Sequence, residues 1–139
     1  METPKKLALD TSVLIGILRG KHPESEIVPR FEGVSAIATT IINVYELYYS
    51  AFKSSDPAKN LTSTKGFLST LDILELDDHS AERAGDTMAN LESKGNMIDP
   101  RDLFSGCIAL ENGYAILTRN PKHFERIPGL LVLEPSAII

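Results

Sequence analysis

Tryptophan is absent from the 139 residues, and cysteine occurs once, at Cys107. A single cysteine leaves no internal disulfide and no thiolate cage for zinc. No apolar run approaches the roughly 18 residues that a membrane span requires. The opening stretch, Met1 to Lys6, is polar rather than the apolar core of a secretory leader. A reducing, cytoplasmic setting away from membranes is the expectation. Excess positive charge is missing too. The net charge of −5 is the wrong sign for a protein that holds nucleic acid by bulk electrostatics. This argues against an architectural DNA binder. It argues less against a nuclease, because carboxylates that gather cations contribute to the negative total.

What is present is ordinary in bulk and patterned in detail. Hydrophobic residues at 42% and charged residues at 24% suit one globular domain over 1–139 with a real core. Short apolar runs alternate with helical periodicity. Lys6 to Leu9 reads as a strand ending at Asp10. Ser12 to Arg19 carries Val13, Leu14, Ile17 and Leu18 at helical spacing before Gly20. Pro23 to Phe31 reads as a short helix, Val34 to Thr39 as a strand, and Thr40 as the cap of a helix to about Lys53. A helix over about Ala58 to Leu71, a strand over Asp72 to Leu76 and a helix from Asp77 to near Gly95 follow. Asp99-Pro100 starts a helix to about Asn112. Tyr114 to Thr118 is a strand, Pro121 to Glu125 a helical turn, and Leu130 to Leu133 a last strand. Strands separated by helices predict an α/β fold, three layers with a mainly parallel sheet between helices.

In such folds ligands bind beyond the carboxyl ends of the strands. Asp10 and Asn120 follow strands directly. Asp102 stands in the first turn of a helix that must return antiparallel to the sheet, so its amino end faces the same edge. Glu46 lies six residues past Thr40, roughly 9 Å down its helix at 1.5 Å per residue. Together they predict an oxygen-rich pocket for a hard divalent cation. Each residue also has a plainer account. Asp10 is equally suited to cap the next helix. Glu46, in a polar stripe with Asn43, Ser50 and Lys53 beside an apolar stripe of Ile42, Tyr45, Tyr49 and Phe52, fits a solvated face. Asp102 fits the third position of a capping box begun by Asp99, and Asn120-Pro121 fits a turn. Against the capping account, Leu103 to Leu110 is apolar nearly all round, which places that helix inside the molecule. Thr11, Ser12 and Thr118 read as supporting hydroxyls, and Arg119 with Lys122 as phosphate contacts. His123 reads as structural or peripheral rather than as a general base, because no Ser or Cys partner stands out for it, and His22 and His79 read as solvated. Tyr45, Tyr48 and Tyr49 suit core packing, dimer packing or base stacking.

Taken together, Leu-Asp-Thr-Ser-Val-Leu-Ile at 9–15, Thr-Thr-Ile-Ile-Asn-Val-Tyr-Glu-Leu at 39–47, Asp-Leu-Phe-Ser-Gly-Cys-Ile-Ala-Leu at 102–110 and Leu-Thr-Arg-Asn-Pro-Lys-His-Phe at 117–124 resemble PIN-domain proteins. The resemblance is strongest to VapC-type toxins of prokaryotic toxin–antitoxin pairs, and it spans nearly the whole chain. It implies a five-stranded sheet of order 3-2-1-4-5, endoribonuclease activity dependent on Mg²⁺ or Mn²⁺, a homodimer, and inhibition by a small antitoxin. By motif, Asp10, Glu46 and Asp102 match the family's acids. Asn120 stands where many members carry a fourth, which removes one negative charge and makes a single cation the expectation.

The chemistry expected is attack of metal-activated water on an RNA phosphodiester, with Asp10 and Asp102 as ligands and Glu46 as ligand or water-holding base. One rival is a degenerate, non-catalytic module that binds RNA or protein, which Asn120 and the net acidity favour. A phosphatase-like domain would need a second acid two residues after Asp10, where Ser12 stands.

Overall fold

The computed structural model describes residues 4–33 and 35–139. Val34, read above as the start of the second strand, lies outside the described residues, as do residues 1–3. Five strands, β1 (Lys6–Leu9), β2 (Ala36–Thr40), β3 (Asp72–Leu74), β4 (Ala115–Leu117) and β5 (Val132–Leu133), form one sheet in the order β3-β2-β1-β4-β5. All four pairings are parallel. Among the described residues, six α-helices lie between the first four strands: α1 (Thr11–Leu18), α2 (Ile27–Phe31), α3 (Ile41–Lys53), α4 (Pro57–Leu68), α5 (Asp78–Ser93) and α6 (Pro100–Glu111). The expected fold class and strand order are both present.

Alternation along the central strands builds two cores. Leu7, Leu9, Ala115 and Leu117 point to one face and pack with Val13, Leu14, Val44 and Leu47 from α1 and α3. Ile116 points to the other face and joins Ala84 and Leu91 of α5, Leu103 and Cys107 of α6, and Phe124 and Ile127 beyond the sheet. Parallel strands buried on both faces need no polar alternation, and β4 is buried at every position.

Two elements settle the depth of the helices. Gly113, at φ 75°, turns the chain out of α6 and straight into β4. Gly106 lies where α6 meets the 124–130 segment, and a Cβ there would collide with the Ile127 side chain and crowd Leu130 at 3.2 Å. Gly106→Ala should therefore cost about 1–3 kcal/mol through overpacking. A thermal melt should show a loss of several degrees.

The α3 helix differs from its sequence reading. Tyr45, Tyr49 and Phe52, placed in the apolar stripe, are each more than half exposed, whereas Asn43, Val44, Leu47 and Ala51 are buried. The entry into the helix explains the phase. Thr40 caps α3 through its side chain, and the Asn43 side chain returns to the Thr40 backbone to close a capping box. That turns Asn43 inward, and Leu47 and Ala51 follow at four-residue intervals on the same face.

Candidate active site

The carboxyl edge of the sheet gathers residues from three connections. Asp10 leaves β1 with its N–H donating to the Leu117 carbonyl at 2.9 Å. It occupies the N-cap position of α1 yet makes no side-chain cap bond. Its carboxylate, only 7% exposed, turns toward its neighbours across the edge. Oδ2 accepts from the Thr118 hydroxyl at 2.8 Å and the Ser12 hydroxyl at 3.0 Å, and Oδ1 accepts from Asn43 Nδ2 at 3.3 Å. Three donors from three segments hold the group in one orientation, well beyond what capping requires.

The hydroxyls are themselves anchored. Thr118 Oγ1 accepts from the Asn120 N–H at 3.0 Å, and Ser12 Oγ accepts from the Arg119 N–H at 3.0 Å. Asn43 continues the network, donating to Thr11 Oγ1 at 3.0 Å, and the Thr11 hydroxyl donates to Glu46 Oε1 at 2.8 Å. The long Glu46 side chain thus reaches back up its helix to the edge. Thr118→Val keeps the shape but leaves the Asn120 N–H and the buried Asp10 Oδ2 each short of a partner. Such a change should cost about 1–3 kcal/mol and lower activity by roughly 10–100-fold. Calorimetry beside a cleavage assay would read both.

Asp102 approaches from α6. Asp99 caps that helix and also receives the Arg101 guanidinium, Nε on Oδ1 and Nη2 on Oδ2, both at 3.2 Å. The Arg101 pairing draws the Asp99 carboxyl below its ordinary pKa. With Asp99 occupied, Asp102 stands free of capping. Burial, then the nearby Asp10 charge, push its pKa up to about 6, with Asp99 and Glu46 adding and His123 opposing. These residues line one cleft of about 490 Å³ with Thr11, Ser12, Glu46 and Asn120, and its rim carries Arg101, Lys122, His123 and Arg126.

Several residues stand elsewhere than their sequence suggested. His123, read as structural or peripheral, is not peripheral: its Nδ1 lies 3.2 Å from Asp102 Oδ2 in the cleft wall. Arg119 contributes its backbone to the network, but its guanidinium lies against Glu24 and outside the cleft lining. Asn43 and Arg101 were not singled out for the site. The spacing Thr40-x-x-Asn43 carried the signal for the first, since a capping-box amide must fold back toward the strand end. Arg101 Nη1 lies 3.8 Å from Glu46 Oε2. Among the described residues, no three His, Cys, Asp or Glu side chains already form a ready-made metal cage.

The sheet is parallel in the order 3-2-1-4-5, and its acids converge on a cleft at the carboxyl edge, where α/β folds bind their ligands. The family model described as PIN domain matches residues 7–130. The tRNA(fMet)-specific endonuclease VapC of Salmonella typhimurium is 36% identical over 128 residues, covering 91% of this chain and 96% of that protein. Ribonuclease VapC2 of Haemophilus influenzae is 32% identical over 126 residues, 90% of this chain and 94% of its own. Among solved structures, DNA-bound VapBC from Salmonella typhimurium aligns with a TM-score of 0.84 at 32% identity, covering 96% of this chain and 99% of that one. VapBC2 from Rickettsia felis, bound to a promoter DNA fragment, aligns at 0.86 with 25% identity, covering 93% of this chain and 98% of that one. The chain belongs to the PIN domain family, in its VapC branch.

Proposed function

We propose that this chain is an endoribonuclease that hydrolyses RNA phosphodiester bonds with Mg²⁺ or Mn²⁺, and that it is the toxin of a VapBC-type pair. One observation carries the reading. Asp10 sits where a capping side chain is expected, declines that role, and is held by three donors facing the cleft that Asp102 shares. The relatives' names, as VapC ribonucleases and VapBC complexes, support the substrate class and a small antitoxin partner.

The donor types suit a hard divalent cation, which would have to draw the carboxylates closer together than they stand here. Asp10, Asp102 and Glu46 offer carboxylate oxygens, and crowding of like charge is one cause of the raised Asp102 pKa, a strain that a cation between the carboxylates would relieve. A bound ion would acidify a water and neutralise charge on the phosphate oxygens. Asp10 is pre-oriented for that role by Thr118, Ser12 and Asn43. Asp102 is steadied by His123, and Glu46 by Thr11. Asn120, in the cleft lining, supplies an amide that orients water or phosphate without a further negative charge. Lys122 and Arg126 set positive charge in the cleft lining, where it would meet an RNA backbone. Homodimer formation and a cytoplasmic setting belong to the same reading. No helix among the described residues is long and apolar enough to cross a membrane.

Incubating the purified chain with a structured RNA tests the proposal. Fragments should appear with Mn²⁺ or Mg²⁺ and cease with chelator. Persistent cleavage in chelator would remove the metal from the account. Specific RNA binding with no cleavage under any cation would favour the non-catalytic module.

A further inference from the structure

Beneath the Arg119 loop lies a carboxylate that the site as described does not use. Glu24 is 2% exposed, and its Oε2 has no hydrogen-bond partner. A buried carboxylate without such a partner is expensive, and nothing in the core accounts for it. Space is kept for it by Gly16 of α1: a Cβ there would come within 2.6 Å of Glu24 Oε2. The charged group facing Glu24 is Arg119, with Nη1 3.8 Å from Oε2.

Arg119 is tied at two ends. Its N–H donates to Ser12 Oγ, one bond from Asp10, and one corner of its guanidinium rests on Glu24. The side chain is 52% exposed, and apart from Glu24 it has no acidic partner among the described residues. A guanidinium with one corner on a buried acid and the rest in solvent is prepared to receive a phosphate. It lies outside the lining of the cleft, while Asn120, the next residue, lies in it.

We propose that Glu24 is a positioning residue that fixes Arg119 beside the catalytic cleft, where the guanidinium binds an RNA phosphate flanking the one that is cut. This rests on the ribonuclease reading, because it assigns a second backbone contact of the same substrate. A charge-assisted bond to one phosphate contributes to substrate binding rather than to the chemical step.

The test compares the full chain with Glu24→Gln, Gly16→Ala, Arg119→Ala and Glu24→Gln/Arg119→Ala. Gly16→Ala serves as an independent displacement of Glu24: alanine favours the helix, and its methyl would meet Glu24 Oε2, Cγ and Cβ at 2.6, 2.9 and 3.0 Å, so the whole side chain must move. Measured are KM and kcat on a short RNA with Mn²⁺, RNA affinity in chelator by fluorescence anisotropy across salt, and Tm. Arg119→Ala should raise KM by about tenfold, the value of one such bond, with a much smaller change in kcat. Its salt slope should fall by about 0.7, one phosphate on a single strand. Glu24→Gln and Gly16→Ala should raise KM in the same direction, by about threefold or more, and the double variant should match Arg119→Ala alone. Changes in Tm without change in KM, affinity or slope would overturn the assignment, as would additive effects in the double variant. An unaltered chain that binds RNA through Arg119 but never cuts it would overturn the ribonuclease reading and leave standing only the phosphate contact of Arg119 and its positioning by Glu24. A chain that does not bind RNA at all would overturn both.

Discussion

Asp10→Asn should reduce RNA cleavage by well over 100-fold while leaving the fold intact. Replacing a partner that merely orients a ligand typically costs 10–100-fold, and Asp10 is proposed as the ligand itself. The exchange preserves shape, and Ser12 and Thr118 can rotate their hydroxyls to meet either an oxygen or an amide. Only Asn43 Nδ2, which donates to Oδ1, is fixed by its own contacts. Removing a buried negative charge that faces Asp102 also relieves repulsion. The melting temperature should therefore stay within a few degrees, or rise. Retention of more than about a tenth of the activity with saturating Mg²⁺ would take Asp10 out of the mechanism.

Manganese should raise the melting temperature strongly at pH 7.5 and scarcely at pH 5. At one hundred times its dissociation constant a ligand adds about 2.7 kcal/mol, roughly 8–10 °C for a chain of this size. The pH dependence comes from Asp102. Its ordinary carboxyl value of 3.8 is raised to about 6 in the metal-free fold, first by burial and then by Asp10. The folded state therefore holds this proton more tightly than the unfolded chain. Asp102 contributes most to stability below about pH 4, and that contribution is lost as pH climbs through about 6. A cation needs the carboxylate, so its stabilisation grows over the same range. Asp102→Asn should flatten both trends. Equal manganese shifts at pH 5 and pH 7.5 would show that Asp102 is not a ligand.

The sequence carried the architecture more fully than the contacts. Strand and helix alternation, with Asp99-Pro100 and Gly113 as punctuation, leads to a parallel sheet with helices on both faces, and four motifs in order supply its strand sequence. Asp10 and Asp102 were legible because topology alone brings strand ends and a returning helix start to one edge. Side-chain direction was not. Two stripes on α3 have nearly the same spacing, and the amphipathic tyrosines tolerate water. The inward one was chosen by the Thr40–Asn43 capping box. Nothing in the local sequence around Glu24 marks it for burial, and the space it occupies is kept by Gly16, a glycine inside a helix with no local turn to explain it. Such pairings across the fold leave no period in the sequence. The sequence offers His123 no nucleophile to activate, and its neighbour in the fold is a carboxylate, Asp102 of α6.

Manganese soaked into crystals of the chain at pH 7.5, located by its anomalous scattering, puts the central claim to direct test. The expected result is one strong peak in the cleft at roughly 2.2 Å from carboxylate oxygens of both Asp10 and Asp102. Peaks confined to other surfaces, at manganese concentrations where the chain cuts RNA, would contradict it.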